Sequence, residues 1–204
     1  MDLSTLLIHC GEDSEDGFGD LTPPIHQSST YAQPDPDRFG RYDYSRSGNP
    51  TRQAVETAIA SLEGGARGLA FSSGMAAISS TLLLFSPGDQ IIASRDLYGG
   101  AYRVMTGLFT RWGLETTFVD TADIDALARA ITPRTRAIYV ESPSNPLLTI
   151  TDLSAVAALA ESHGLVSIID NTFMPPILQR PISLGFDIVL HSATKFLGGH
   201  SDVL

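Results

Sequence analysis

One lysine stands among the 13 basic residues of this 204-residue sequence, and the other twelve are arginines. Lys195 follows the short apolar run Ile188 to Leu190, in the stretch His191-Ser192-Ala193-Thr194-Lys195. An amine can lose its proton and attack a carbonyl, which a guanidinium cannot, so a lysine can serve as nucleophile, Schiff-base amine or general base. The spacing Ser192-x-x-Lys195 also matches the arrangement by which a lysine activates a serine in penicillin-recognising enzymes. That use is disfavoured, because Ser201-Asp202-Val203 is only a partial match to the accompanying S-D-N element and the K-T-G element would need a second lysine. Two further apolar runs end in reactive groups. Val166-Ser-Ile-Ile-Asp170 leaves a carboxylate at the tip of a buried run, where an unpaired charge is costly. Asp170 can brace the loop Asn171-Thr172, face a cationic ring nitrogen or ligate a metal, and the lack of a histidine cluster of metal-ligand spacing argues against the metal. Phe71-Ser72-Ser73-Gly74-Met75 opens a helical pattern, so its backbone N–H groups and the positive end of the helix dipole can hold an anion such as phosphate. An ordinary serine N-cap explains the same residues. No lysine follows the glycine, which excludes a nucleotide P-loop.

One cofactor would use all three ends. A lysine for a Schiff base, a carboxylate for a pyridine nitrogen, and hydroxyls with a helix N-terminus for a phosphate are what pyridoxal phosphate requires. The carboxylate keeps the ring nitrogen protonated, so the ring accepts the electron pair left when a substrate α-proton departs. Once a substrate amine displaces it, the lysine is a free amine able to move protons. Its ordinary pKa of about 10.4 must then fall through desolvation or neighbouring positive charge.

These ends need a scaffold. Short apolar runs at 68–71, 90–93, 115–119, 137–140, 166–169 and 188–190 read as buried strands. Helical segments lie among them at 51–63, 75–85, 102–112, 123–130 and 152–163, the first stopping at Gly64-Gly65. Alternation of this kind predicts an α/β fold of three layers, a mostly parallel sheet flanked by helices, with ligands at the carboxyl ends of the strands. Residues 1–50 are rich in Gly, Pro, Asp and Ser and read as an extended N-terminal arm; residues 51–204 form the large domain. A net charge of -10 argues against nucleic acid, and no apolar stretch is long enough for a membrane helix. A single cysteine, Cys10, excludes an intramolecular disulfide framework. The five histidines are scattered, so no metal site is expected, and the cytoplasm is the expected compartment.

The sequence resembles the cysteine and methionine metabolism family of pyridoxal-phosphate enzymes, of fold type I: cystathionine lyases and γ-synthases, methionine γ-lyase and homoserine-ester sulfhydrylases. YSRSGNPTR at 44–52, LEGG at 62–65, FSSGMAAI at 71–78, DLYGG at 96–100, ESPSNP at 141–146, DNTF at 170–173 and HSATKFLGGHSD at 191–202 carry the resemblance. It implies that Lys195 forms the covalent link to the cofactor and that Asp170 pairs with the pyridinium nitrogen. Ser73, Gly74, Met75, Ser192 and Thr194 are implied to bind phosphate, Tyr98 to stack on the ring and assist proton transfer, and Asn145 to lie near the ring hydroxyl. Tyr44 and Arg46 are implied to reach the phosphate of a neighbouring subunit, in a homotetramer built from dimers with shared sites. Family chains continue into a smaller C-terminal domain that grips the substrate carboxylate; the resemblance implies that this domain is absent from a chain ending at Leu204. The activity implied is carbon–sulfur lyase action, in transsulfuration, on cystathionine or a related sulfur amino acid by β- or γ-elimination. The alternatives are γ-replacement, by a cystathionine γ-synthase or O-acyl-homoserine sulfhydrylase, or a non-catalytic fragment. Gly100 stands where methionine-degrading relatives carry cysteine, which disfavours that activity.

Overall fold

A computed structural model describes residues 2–11 and 19–204; residue 1 and residues 12–18 of the expected arm lie outside them. The chain divides into two compact units, Met1–Ala70 and Phe71–Leu204.

In the first unit the arm is not extended throughout, because α1 spans Leu3–His9. Residues 29–31 and 43–45 then run antiparallel, with a bridge between Thr30 and Tyr44. Helix α2, Pro50–Glu63, begins where the sequence signals predict. Pro50 sits where no N–H is needed, and the Asn49 side chain accepts from Thr51 N–H at 2.9 Å. It ends at Gly64, whose φ of 76° is the left-handed turn that glycine tolerates. The expected strand at 68–71 does not form. Apolar side chains are present, but a strand also needs a second backbone, and nothing among the described residues pairs with this segment. Gly68 instead presses on α2, where an added Cβ would lie 2.1 Å from the Glu56 carbonyl oxygen, and Ala70 N–H donates to Glu56 Oε1. Leu69 is consequently 59% exposed rather than buried.

The second unit holds five parallel strands in the order β2-β1-β3-β4-β5. They are β1 Gln90–Ser94, β2 Glu115–Val119, β3 Thr135–Glu141, β4 Val166–Asp170 and β5 Ile188–Leu190. Side chains alternate across the sheet, so each strand feeds two cores. Ile91, Ala93, Tyr139 and Ile168 face one side with Ile78 and Leu82 of α3, Gly74–Leu82, and with Ala101, Met105 and Phe109. Ile92, Ile138, Val140 and Ile169 face the other, against Leu127 of α6, Ile124–Ala130, and Val156, Ala157 and Ala160 of α7, Leu153–Ser162. Burial on both faces is why the strands read as continuous apolar runs. Asp123 and Asp152 cap α6 and α7, each accepting an N–H three residues on. The helix expected at 102–112 begins earlier, as α4, Gly99–Arg103, passes through a π-helical stretch at Val104–Phe109 and ends as α5, Thr110–Trp112. The two glycines at 99 and 100 hid its start, being poor helix formers.

Strand order reverses at β1: the chain steps to β2 on one side and to β3 on the other. Such a reversal opens a crevice at the carboxyl ends of the strands. Tyr98, Glu141, Asp170 and the loop to Lys195 all follow those ends.

Candidate active site

Asp170 closes β4 and is 6% exposed. Its Oδ1 accepts from Thr172 twice, from N–H at 3.1 Å and from the hydroxyl at 2.5 Å. The same Thr172 hydroxyl accepts from Ser192 N–H at 2.9 Å, so one threonine ties the carboxylate to the loop after β5. Bracing of Asn171-Thr172 therefore exists as the sequence suggests, but it engages Oδ1 and leaves the carboxylate able to face a ligand. Burial pushes the Asp170 carboxyl above its ordinary range, against the pull of the Thr172 bonds and of His191. Behind it, buried Asn171 exchanges hydrogen bonds with Gln179, which also donates to the Ser142 carbonyl at 2.9 Å.

Helix α3 meets the same loop. Ser73 is its N-cap, and the Ser73 hydroxyl oxygen accepts from Ala76 N–H at 3.1 Å, leaving its own proton to donate. The cap reading and the anion reading are thus compatible, since the first-turn N–H groups of an α-helix lack intrahelical partners. A Cβ added to Gly74 would lie 2.9 Å from Ser192 Cβ and 3.2 Å from Ser192 Oγ. Only a glycine lets the helix N-terminus and the β5 loop approach this closely. Ser73, Gly74, Met75 and Ser192 are thereby brought together, and Thr194 lies two residues further along that loop.

Tyr98 heads α4 with its backbone N–H bonded to Glu141 Oε2 at 2.7 Å. A Cβ on Gly100 would fall 2.4 Å from Tyr98 Cε1 and 2.8 Å from Met75 Sδ. The Tyr98 ring, Met75 and the bare Gly100 backbone therefore pack together, which joins the ring to the first turn of α3. Asn145 lies in a loop braced by Asp96, whose carboxylate accepts from the Ser144 hydroxyl and from Leu147 N–H at 3.1 Å. Lys195 occupies the turn after β5, its N–H donating to the Ser192 carbonyl at 3.2 Å and its carbonyl accepting from Gly199 N–H at 2.8 Å. In the other compact unit, Tyr44 and Arg46 pair with each other: the guanidinium donates to the Tyr44 hydroxyl at 3.2 Å and its carbon lies 5.0 Å from the ring centroid.

Three residues of this arrangement escape a reading from the sequence alone. Thr172 sits inside a quoted motif, yet its double hydrogen bond depends on the fold. Asp96 lies 48 residues from the Ser144 hydroxyl that it binds. Glu141 had a visible signal, an acidic residue ending an apolar run just as Asp170 does. It stands beside Asp170 in the β3–β4 register and is 4% exposed. Burial first, and then the Asp170 charge, pushes Glu141 up to about 8, against N–H donors from Tyr98 and Asn145.

A doubly wound parallel sheet with a glycine-opened helix N-terminus, a buried carboxylate and a lysine loop at its carboxyl edge has the parts that a pyridoxal-phosphate protein of fold type I combines. The chain belongs to the family described as Cys/Met metabolism PLP-dependent enzyme, whose model matches residues 4–204. It is 56% identical over 202 residues to cystathionine beta-lyase MetC of Bacillus subtilis, covering 99% of this chain and 52% of that protein. It is 52% identical to cystathionine gamma-lyase of the same organism, over 100% of this chain and 54% of the relative. Among solved structures it superposes on cystathionine gamma-lyase from Lactobacillus plantarum complexed with L-serine, with TM-score 0.97 and 51% identity, over 100% of this chain and 53% of that one. The chain spans about half the length of the relatives it matches. The residues present fit the cofactor of the family: the close approach at Gly74 leaves a bare helix N-terminus for a phosphate, and a buried carboxylate with no arginine or lysine in salt-bridge reach, among the described residues, suits a cationic ring nitrogen.

Proposed function

We propose that this chain supplies the cofactor-binding half of a carbon–sulfur lyase, acting on cystathionine or a related sulfur amino acid by β- or γ-elimination. The observation that carries this reading is the tether through Thr172 and Gly74, which gathers buried carboxylate, helix N-terminus and lysine loop at one edge of the sheet. The names of two relatives that cover nearly all of this chain, both cystathionine lyases, supply the reaction class.

When bound, pyridoxal phosphate supplies the electron sink that lets the substrate α-C–H bond ionise. The chain's own groups do the rest. Lys195 would hold the cofactor covalently and, once displaced by a substrate amine, would be the free amine that moves the α-proton. Asp170 would pair with the ring nitrogen and keep it protonated. Ser73, the N–H groups of Gly74 and Met75, Ser192 and Thr194 hold the phosphate. Tyr98 stacks on the ring and assists proton movement to the departing sulfur, and Asn145 faces the ring hydroxyl. Tyr44 and Arg46 reach the phosphate of a neighbouring copy, in a cytoplasmic homotetramer built from dimers, and their pairing presents hydroxyl and guanidinium together.

Product analysis on cystathionine, using the complete polypeptide loaded with cofactor, tests the reading. With water, β-elimination yields homocysteine, pyruvate and ammonia; γ-elimination yields cysteine, 2-oxobutyrate and ammonia. Either oxo acid supports the lyase and names its regiochemistry. Formation of cystathionine from cysteine and an O-acyl-homoserine, without oxo acid, selects γ-replacement, a reading favoured by 49% identity to a cystathionine gamma-synthase/O-acetylhomoserine (thiol)-lyase of Bacillus subtilis. Failure to bind cofactor would leave only a non-catalytic module.

A further inference from the structure

Glu141 has no part in the roles assigned above, yet it is bonded to Tyr98 and lies beside Asp170. In the β3–β4 register it lies directly beside Asp170, and both carboxyls are buried. No arginine or lysine reaches either within salt-bridge distance among the described residues. Two adjacent buried carboxyls cannot both ionise cheaply. Their surroundings are unequal. Asp170 receives an N–H and a hydroxyl from Thr172 and faces His191 and the Tyr139 hydroxyl, whereas Glu141 faces Asp170, Asp96 in the loop after β1, and the same Tyr139, two residues back on its own strand, with the Tyr98 and Asn145 N–H groups as donors. The richer set of donors around Asp170 favours the negative charge there and the proton of the pair on Glu141. The Glu141 Oε2 contact to Tyr98 N–H, at 2.7 Å, fixes the N-cap of α4 and with it the ring that packs on Met75.

We propose that Glu141 is a positioning residue for the cofactor, holding Tyr98 and Asn145 in place through its carboxyl while leaving the charge at the ring nitrogen to Asp170. The proposal deepens the cofactor reading above and rests on it.

The test compares wild type, Glu141→Gln and Glu141→Ala in the complete polypeptide. The readouts are pyridoxal phosphate affinity by equilibrium dialysis and the pH profile of the visible absorbance of the bound cofactor. Gln keeps the acceptor and stays neutral, so its affinity should lie within about threefold of wild type. Ala removes the carboxyl that accepts from Tyr98 and Asn145 N–H and frees both segments, and affinity should fall about tenfold or more. The wild-type absorbance profile should contain an alkaline step that Glu141→Gln lacks. Superimposable profiles, unchanged affinity in Glu141→Ala, or an equal loss in both variants would each overturn the proposal. If Glu141→Ala fails to fold, the Gln profile decides alone. Wild type that binds no cofactor would overturn the functional reading as well, an outcome distinct from failure of the variants' pattern.

Discussion

Gly74→Ala perturbs the closest approach in the site. The new Cβ would sit 2.9 Å from Ser192 Cβ and 3.2 Å from its Cα. Ordinary carbon contacts are at about 3.5–4.0 Å, so helix or loop must retreat by roughly 0.6–1 Å. Ser192 is not free to yield, because its N–H is held by the Thr172 hydroxyl, which in turn holds Asp170. The displacement is therefore passed to the carboxylate. Overpacking of this size costs about 1–3 kcal/mol, and the better helix propensity of alanine offsets at most about 1 kcal/mol of it. The methyl also shields the first-turn N–H groups, so pyridoxal phosphate affinity should fall about 10- to 100-fold, equivalent to roughly 1.4–2.8 kcal/mol. Equilibrium dialysis gives the affinity and urea unfolding of the cofactor-free protein gives the stability. Gly107→Ala is the control, since nothing lies within 4 Å of the Cβ it would add; it should leave cofactor affinity unchanged. A Gly74→Ala protein that binds cofactor within twofold of wild type would refute the closure of α3 on the β5 loop.

Lys195→Arg keeps the positive charge but cannot form a Schiff base, so the visible absorbance of the lysine-linked cofactor should disappear while far-ultraviolet circular dichroism stays at the wild-type level. Retention of the absorbance would place the link elsewhere. Glu141 also predicts a pH dependence of stability. Its carboxyl is raised in the folded state from 4.5 to about 8, so the unfolded chain loses the proton first and the folded state is penalised increasingly as pH rises between those values. At about 1.4 kcal/mol per unit the full penalty approaches roughly 4–5 kcal/mol, and Gln, which does not titrate, escapes it. Denaturant unfolding of the cofactor-free proteins should show the advantage of Glu141→Gln over wild type growing from near zero at about pH 4.5 to a plateau above about pH 8; a constant difference across that range would refute the shift.

Much of the sheet was legible because central strands buried on both faces, such as Gln90–Ser94, leave apolar runs with clean ends, and the less buried edge strands Glu115–Val119 and Ile188–Leu190 also match their predicted limits. The same signal misled at 68–71, where side chains suit a strand but no neighbouring backbone completes it among the described residues. The beginning of α4 was hidden by Gly99 and Gly100, although Gly100 is required there by the Tyr98 ring rather than by helix formation. Local sequence reports what a segment prefers, and both departures arise from what another segment places against it.

The site divides along the same line. Lys195, Asp170 and Ser73 announce themselves because each terminates or follows an apolar run with a reactive or anion-binding group, and for Asp170 the burial is itself costly. Their joining depends on contacts that no local pattern carries: the Thr172 hydroxyl between Asp170 and Ser192, and the β3–β4 register that sets Glu141 beside Asp170. For Asp170 the two sequence readings, structural brace and ring-nitrogen partner, looked like competitors. The hydrogen bonds make the first a condition of the second. A carboxylate at the end of a buried strand needs donors to stay ionised without a cation, and Thr172 supplies them through Oδ1. Removing the Thr172 hydroxyl would therefore weaken the charge as well as the loop, which is why bracing and chemistry at this position cannot be separated by asking which one the residue is for.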